Sequence, residues 1–321
     1  MSQVLVLGSY VQDHCWSTDC LPRPGESRIG RFSTGPGGKG FNQAIAAHRL
    51  GVSTRFHGAI GDDALGQTAR GFAAAENLPC EWSVTTQSTA ASSIVVDAAG
   101  RNQICVALGA NDALPPDAAL SLAPHMGAAG VLVVQLETAL APVRVALQLA
   151  RAAGQTTLLN PAPINAEVDA ELIALADLLT PNETEFEYLL QQQLGEAWTL
   201  DLQHFDEAAC HGLCRRLCPQ GSVVVTLGEW GAFVSHPPDR LRGDALACYR
   251  VDPAAVQARD TTGAGDAFSG GLAAALLLYP DRPFAEQVSF ACRVAGLSTE
   301  RLGTAPAMPT LGEVSERFGE L

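Results

Sequence analysis

The stretch Asp260-Thr-Thr-Gly-Ala-Gly-Asp-Ala-Phe268 holds the residues best suited to chemistry. Gly263 and Gly265 flank Ala264, and Phe268, Leu272 and Leu276 follow at helical spacing. A helix starting there leaves its first-turn amides without intrahelical partners, and with the helix dipole they make an anion site. Asp266 falls within that turn. A carboxylate beside an anion hole is unfavourable unless a reaction uses both. Phosphoryl transfer does: the carboxylate takes the proton of an attacking hydroxyl while the amides neutralise the transferring group. The dipole is expected to keep Asp266 ionised. The competing reading is a capping Asp in an ordinary glycine turn.

A second candidate is Gly35-Pro-Gly-Gly-Lys-Gly-Phe-Asn42. Gly35, Gly37 and Gly40 satisfy the dinucleotide pattern G-x-G-x-x-G, and Asp62 lies about twenty positions on, where a ribose-binding acid belongs. However, the first strand ends near Gly8, and Pro36 is expected to interrupt a strand entering the motif. A phosphate-cradling P-loop also fails, because Ser33 stands where it needs Gly and Gly40 where it needs Ser or Thr. What remains is a glycine turn opening a helix, with Phe41, Ala44, Ile45 and His48 on one face and Gly51 just past its end. The glycines let backbone amides approach a ligand, and Lys39 and Asn42 offer partners for hydroxyls. The plainer alternative is a glycine hinge with a solvated lysine.

Both segments need a scaffold, and the rest of the chain supplies an alternating one. Strands are expected over residues 3–8, 54–60, 131–135, 156–160, 177–180, 222–227 and 232–235. Helices are expected over 38–50, 64–76, 142–153, 183–193, 206–217, 264–278 and 284–297. Continuous Val/Leu runs predict a mostly parallel, doubly wound α/β sheet with helices on both faces. Residues 14–34 lack helical periodicity, and 92–108 read as two strands around a turn containing Gly100. They suit either a small lid sheet or a plain edge extension.

The chain has 321 residues, 47% of them hydrophobic, with a net charge of −14. That balance supports a large core and speaks against nucleic acid, whose phosphates need clustered Lys and Arg. Nine cysteines, an odd number without zinc spacing, suit reduced thiols in a cytoplasmic protein. The N-terminus reads as a strand, and the longest apolar run falls short of the roughly 20 residues of a membrane span.

Taken together and in this order, the two segments resemble the signatures of the ribokinase-like (PfkB) carbohydrate kinases. The resemblance covers essentially the whole chain. Gln135-Leu-Glu137, Asn160-Pro-Ala-Pro163, Thr180-Pro-Asn-Glu-Thr-Glu185 and Thr226-Leu-Gly-Glu-Trp-Gly231 extend it in register. It implies a single domain over 1–321, with a β lid from about 14–34 and 92–108 that often serves as a dimer interface. It implies transfer of the γ-phosphoryl of ATP to a sugar hydroxyl, first of all D-ribose, giving ribose 5-phosphate. Asp13, Gly38, Lys39, Gly40, Asn42 and Glu137 would bind the sugar. Asn182, Thr226, Gly228, Gly231, Gly265 and Cys292 would bind ATP. Glu185 would act on Mg²⁺ through water. Gly263, Ala264 and Gly265 would form the anion hole, with Asp266 as base. Asp260, Thr262, Ser298, Arg301, Gly303 and Ala307 would hold a monovalent cation such as K⁺, several through carbonyls.

Three positions depart from the family's ribose pattern: Val11 where it has Asn, Gln12 where it has a small residue, and Phe41 inside the glycine signature. Another pentose, a ketohexose or a nucleoside therefore stays open as acceptor. Two further classes are a nicotinamide-dependent dehydrogenase at Gly35–Gly40 and a sugar-binding module without catalysis. Cys210, Cys214 and Cys218 with His211 could hold a metal but suit core packing. His14 suits a packed or solvated neighbour of Asp13. Asp62-Asp63 could bind a cation or cap a helix, and Trp230 could touch adenine or pack its loop.

Overall fold

Four consecutive apolar residues, Val4–Leu7, form strand β1 and are fully buried. Only a strand covered on both faces buries such a run. Val4 and Val6 enter one hydrophobic core, and Leu5 and Leu7 enter another on the opposite face. The computed structural model describes residues 3–127, 129–199 and 202–321.

After β1 the chain makes β2 (Val11–Ser17) and β3 (Arg31–Gly37), then α1 (Lys39–Arg49), β4 (Thr54–Gly61), α2 (Ala64–Ala75) and β5 (Cys80–Thr85). A hairpin of β6 (Ala91–Val96) and β7 (Asn102–Ala107) follows, then the short α3 (Ala118–Leu122). The alternation resumes with β8 (Val131–Val134), α4 (Leu140–Ala152), β9 (Thr156–Leu159), α5 (Ala170–Ala174), β10 (Leu178–Leu179), α6 (Glu183–Leu194), α7 (Glu207–Leu217) and β11 (Ser222–Thr226). It closes with β12 (Ala232–Ser235), β13 (Cys248–Val251), α8 (Ala264–Leu278), α9 (Phe284–Ser298) and α10 (Leu311–Phe318).

Nine strands form one sheet in the order β13-β12-β11-β10-β9-β8-β1-β4-β5, parallel except at β11–β12 and β12–β13. The order reverses at β1, which has β4 on one side and β8 on the other. Ligands of doubly wound sheets bind outside the carboxyl ends of the strands at such a reversal. Ser9, Gln135 and Glu137 stand just beyond those ends.

Two glycines set the helix packing there. A Cβ on Gly40 would lie 2.6 Å from Gly8 Cα, so α1 rests directly on the end of β1. A Cβ on Gly270 would lie 2.4 Å from the Gln43 carbonyl, which brings α8 against α1. Asn42 and Gln43 on one helix thereby meet Asp266 on the other.

A separate four-stranded sheet, β3-β2-β6-β7, stands beside this point. Its segments were legible, but their bounds differ. β2 starts at Val11 and carries Asp13, and β3 runs through Pro36 to Gly37. Pro36 does not interrupt the strand as expected, because β3 is an edge strand and an edge tolerates a missing donor. Every expected strand and helix is present within a few residues. β5, β13, α3, α5 and α10 add elements the periodicity did not reveal. No helix among the described residues is long and apolar enough to cross a membrane.

Candidate active site

Asp266 is third in α8, and the helix is entered through Gly263 in a left-handed conformation (φ 80°). The carboxylate is buried. Oδ2 accepts from Asn42 Nδ2 at 2.9 Å and Oδ1 from Gln43 Nε2 at 3.0 Å. Gln43 also donates to Asn160 Oδ1 at 3.1 Å and accepts from Gln135 Nε2 at 2.6 Å. Asn160 in turn donates to the Thr180 carbonyl at 2.8 Å. Asn42 Oδ1 is buried and without a partner among the described residues, an acceptor that fits a ligand hydroxyl.

Against the helix dipole, which favours the ionised form, burial works on Asp266. Burial raises its pKa, and Lys39, Asn42 and Gln43 offset that only in part. The anion hole also differs in detail. The Ala264 amide donates to the Thr261 carbonyl at 3.2 Å. This leaves Gly265 and Asp266, whose amides have no acceptor this early in a helix.

Two more carboxylates stand nearby. Asp13 accepts from Ser92 Oγ at 2.6 Å and from Thr304 Oγ1 at 3.2 Å. Burial raises its pKa against those two donors, helped by Glu137 and Asp266. Glu137 accepts from Ser9 Oγ at 2.6 Å and from the Lys39 amide at 2.9 Å. Thr304 is a junction: its hydroxyl also reaches the Pro36 carbonyl at 3.0 Å, and a Cβ on Gly263 would lie 3.5 Å from its methyl.

A cavity of about 130 Å³ opens beside Asp266, lined by Lys39, Asn160, Asn182, Glu185, Thr226 and Gly265 among others. Lys39, expected on the sugar, lines this cavity together with Asp266, and it is the chain's only lysine. Burial works against its ammonium, but Asp266, Glu137 and Glu185 outweigh that and hold its pKa above the usual lysine value. Gly38 caps α1, with Gly40 in its first turn. Asn182 and Glu185 form a reciprocal capping box on α6, the Glu185 amide donating to Asn182 Oδ1 at 2.8 Å and the Asn182 amide to Glu185 Oε2 at 2.9 Å. Burial raises the pKa of Glu185. Gly228 and Gly231 bracket the turn after Thr226.

Cys292, expected at ATP, sits in the hydrophobic core and does not line the cavity; burial pushes its thiol up to about 12. Trp230 lies under Arg250, 6.0 Å from the guanidinium, and packs its loop. Cys210, Cys214 and Cys218 are core residues, and no described cluster of His, Cys, Asp or Glu could hold a metal. His14 stacks on Phe32, and Asp63 caps α2.

Asp260 Oδ1 accepts from the Thr262 amide and Oδ2 from the Gly303 amide, each at 3.0 Å. The 260–262 and 303 turns thus meet. Arg301's guanidinium pairs with Glu313 instead, which leaves its carbonyl as the group that could bind. A set of carbonyls with a single carboxylate suits a monovalent ion better than a divalent one. Among the described residues lining the cavity the carboxylates are Glu185 and Asp266, and Glu185 already has both oxygens on Asn182. That donor set fits a metal brought with phosphate and touched through water. Ser9, Gln43, Ser92 and Thr304 were not singled out from sequence, and Asn160 only as the start of a matching segment. Gln43 was within reach, adjoining Asn42 inside the glycine signature.

A buried carboxylate and free helix-start amides facing one lysine, at the reversal of a doubly wound sheet, make the site of an α/β phosphoryl-transfer enzyme. The family model described as pfkB family carbohydrate kinase matches residues 1–311, and the chain belongs to that family. It is 34% identical over 316 residues to a ribokinase of Haemophilus influenzae, spanning 97% of this chain and 96% of that one. A ribokinase of Thermotoga maritima shares the fold with a TM-score of 0.84 at 26% identity over 100% of both chains. An Arabidopsis thaliana ribokinase complexed with ribose and ATP does so with 0.81 at 26% over 100% of both. The chain is therefore a carbohydrate kinase, and the dehydrogenase and non-catalytic readings fall.

Proposed function

We propose that this kinase transfers the γ-phosphoryl of ATP to D-ribose, giving ribose 5-phosphate, with Asp266 as the base. The observation that carries the reading is the Asn42–Asp266 bond at 2.9 Å. It puts the glycine turn and the anion-hole helix at one point, with the orphaned Asn42 Oδ1 beside the carboxylate. Asp13, Asn42 and Glu137 bind and orient the sugar. Asp266 takes the proton of the attacking hydroxyl. The Gly265 and Asp266 amides and the Lys39 ammonium hold the negative charge of the transferring group. Asn182, Thr226 and the turn at Gly228 and Gly231 seat the nucleotide. Mg²⁺, held through water by Glu185, would screen the phosphates. K⁺, at the carbonyls of the 260–262 and 298–307 turns, would stabilise the anion-hole entry.

Two of the three departures from the ribose pattern point away from a sugar. Gln12 bonds the Tyr10 hydroxyl and Thr34, and Phe41 packs between Tyr10 and Phe56, with ring centres 5.2 and 5.4 Å away. With the ribokinase names of the relatives, this favours ribose over larger acceptors. We also infer that the four-stranded sheet is a lid on a single domain and pairs with a second copy. In support, Trp16 and Phe32 are exposed on the face of that sheet turned away from Asp13. Nine free cysteines suit a reducing cytoplasm.

A coupled ADP-release assay over pentoses, hexoses and nucleosides, with and without K⁺, tests the reading. Ribose should give the highest kcat/KM, raised by K⁺. Turnover of Asp266→Asn should fall by about 10² to 10⁴. A nucleoside outpacing ribose, or near-native turnover in that variant, refutes the assignment.

A further inference from the structure

Strand β9 joins two different places. Asn160, just past its last residue, lies in the catalytic cavity, and Thr156 opens it at the opposite edge of the sheet. Around Thr156 is a second cavity of about 370 Å³, lined by Arg151, Gln155, Asp177, Arg240 and Arg242 among others. Three guanidinium groups face one carboxylate there, in a chain whose net charge is −14.

Asp177 is already engaged. Its Oδ1 takes Arg240 Nη1 at 2.6 Å and lies 4.0 Å from Arg151. Its Oδ2 accepts the Thr157 amide and hydroxyl, both at 3.1 Å. Arg242 has no such partner. Its Nε donates to Ser222 Oγ and its Nη2 to the Asp177 carbonyl, both at 3.2 Å, and it lies over Phe284 at 5.6 Å. It forms no ion pair among the described residues. Burial pushes its pKa down to about 10, the mark of a cation short of negative charge. Gln155 is 2% exposed, and both of its amide atoms lack a partner among the described residues. A buried amide left in that state calls for a ligand or water with both an acceptor and a donor. The carboxyl end of α4 opposes an anion here, but half a charge from a helix end is outweighed by three arginines.

We propose that this cavity is a second anion site, binding inorganic phosphate or the phosphate of a small monoester between Arg242, Arg240 and Gln155. Guanidinium groups match phosphate oxygens in a forked geometry. Hydrogen phosphate also carries the one O–H that Gln155 Oε1 can accept, which sulfate lacks.

Calorimetric titration with phosphate at constant ionic strength, on the full chain saturated with an ATP analogue, tests this. Phosphate should bind, sulfate more weakly, and Arg242→Gln and Arg240→Gln should each weaken binding by roughly tenfold or more. Arg240 is half exposed, so its variant decides the matter should Arg242→Gln not fold. Lys39→Met, in the other cavity, should leave this binding intact. Glycerol phosphate tests the ester: tighter binding than phosphate assigns the site to a monoester, and weaker binding to the free ion. Phosphate binding that is absent, matched by sulfate, or lost in Lys39→Met but kept in the arginine variants overturns the proposal.

Discussion

Burial makes Asp266 a stronger base and a less comfortable resident of the fold. Its raised pKa belongs to the folded state, so the native protein holds a proton that the unfolded chain has already released. In the window between the ordinary carboxylate value and the raised one, lowering the pH therefore stabilises the fold through Asp266 while it removes the proposed base. The acid limb of kcat against pH should lie above the usual carboxylate range, and a limb inside that range would remove the burial argument. Asp266→Asn should melt no lower than the native protein despite its lost turnover, because it deletes a buried charge. Thr304 acts through Asp13. Thr304→Val removes one of two donors to that carboxylate. The sugar KM should rise about tenfold, which is ~1.4 kcal/mol, with KM for ATP unchanged and Thr304→Ser restoring the native value. Equal losses for both substrates would mean a general collapse of the site.

At the scale of elements, what was legible depended on how much each segment stabilises itself. α8 was readable to the residue because glycines precede a long apolar helix, and α1 because Gly51 ends its stripe. β2 was not, because Val-Gln-Asp-His-Cys-Trp-Ser has no period of its own; its pairing with β3 and β6 makes it a strand. β5 and β13 lie at the two edges of the large sheet, where burial is partial and the apolar signal weak. α10 carried a signal that could have found it: Thr310 and Glu313 form a capping box. Asp266, Asn42 and Glu137 were legible as motif residues. The groups that hold Asp266 and Glu137, Gln43 and Ser9, and those that hold Asp13, Ser92 and Thr304, become visible only once distant elements meet. Gly40 tests how tightly they must meet. A Cβ there would lie 2.6 Å from Gly8 Cα and the Ser9 amide, so Gly40→Ala should lower stability by about 1–3 kcal/mol in denaturant melts. An unchanged midpoint would show that α1 can move away from β1 freely.

At the scale of the molecule, the small sheet does two jobs with one set of strands. Asp13 on β2 faces the cleft, while His14, Trp16 and Phe32 form an aromatic cluster with rings 5.2 to 6.4 Å apart. Along a strand, alternate residues take opposite faces, so this cluster is turned away from Asp13. In sedimentation at micromolar concentration the proposed lid pairing should give a dimer, and Phe32→Asp should shift it toward monomer. A native chain that sediments as a monomer at every concentration would remove the lid pairing and leave the cleft chemistry standing.

Lys39 is the only lysine in 321 residues, and it stands among three carboxylates in the catalytic cavity. A reagent that acylates amines thus has one side chain in the whole protein to modify, apart from the terminal amine. A single added mass on a peptide containing residue 39 becomes an occupancy meter for the cavity beside Asp266: its appearance slows as the cavity fills, with no engineered probe and no background from the surface.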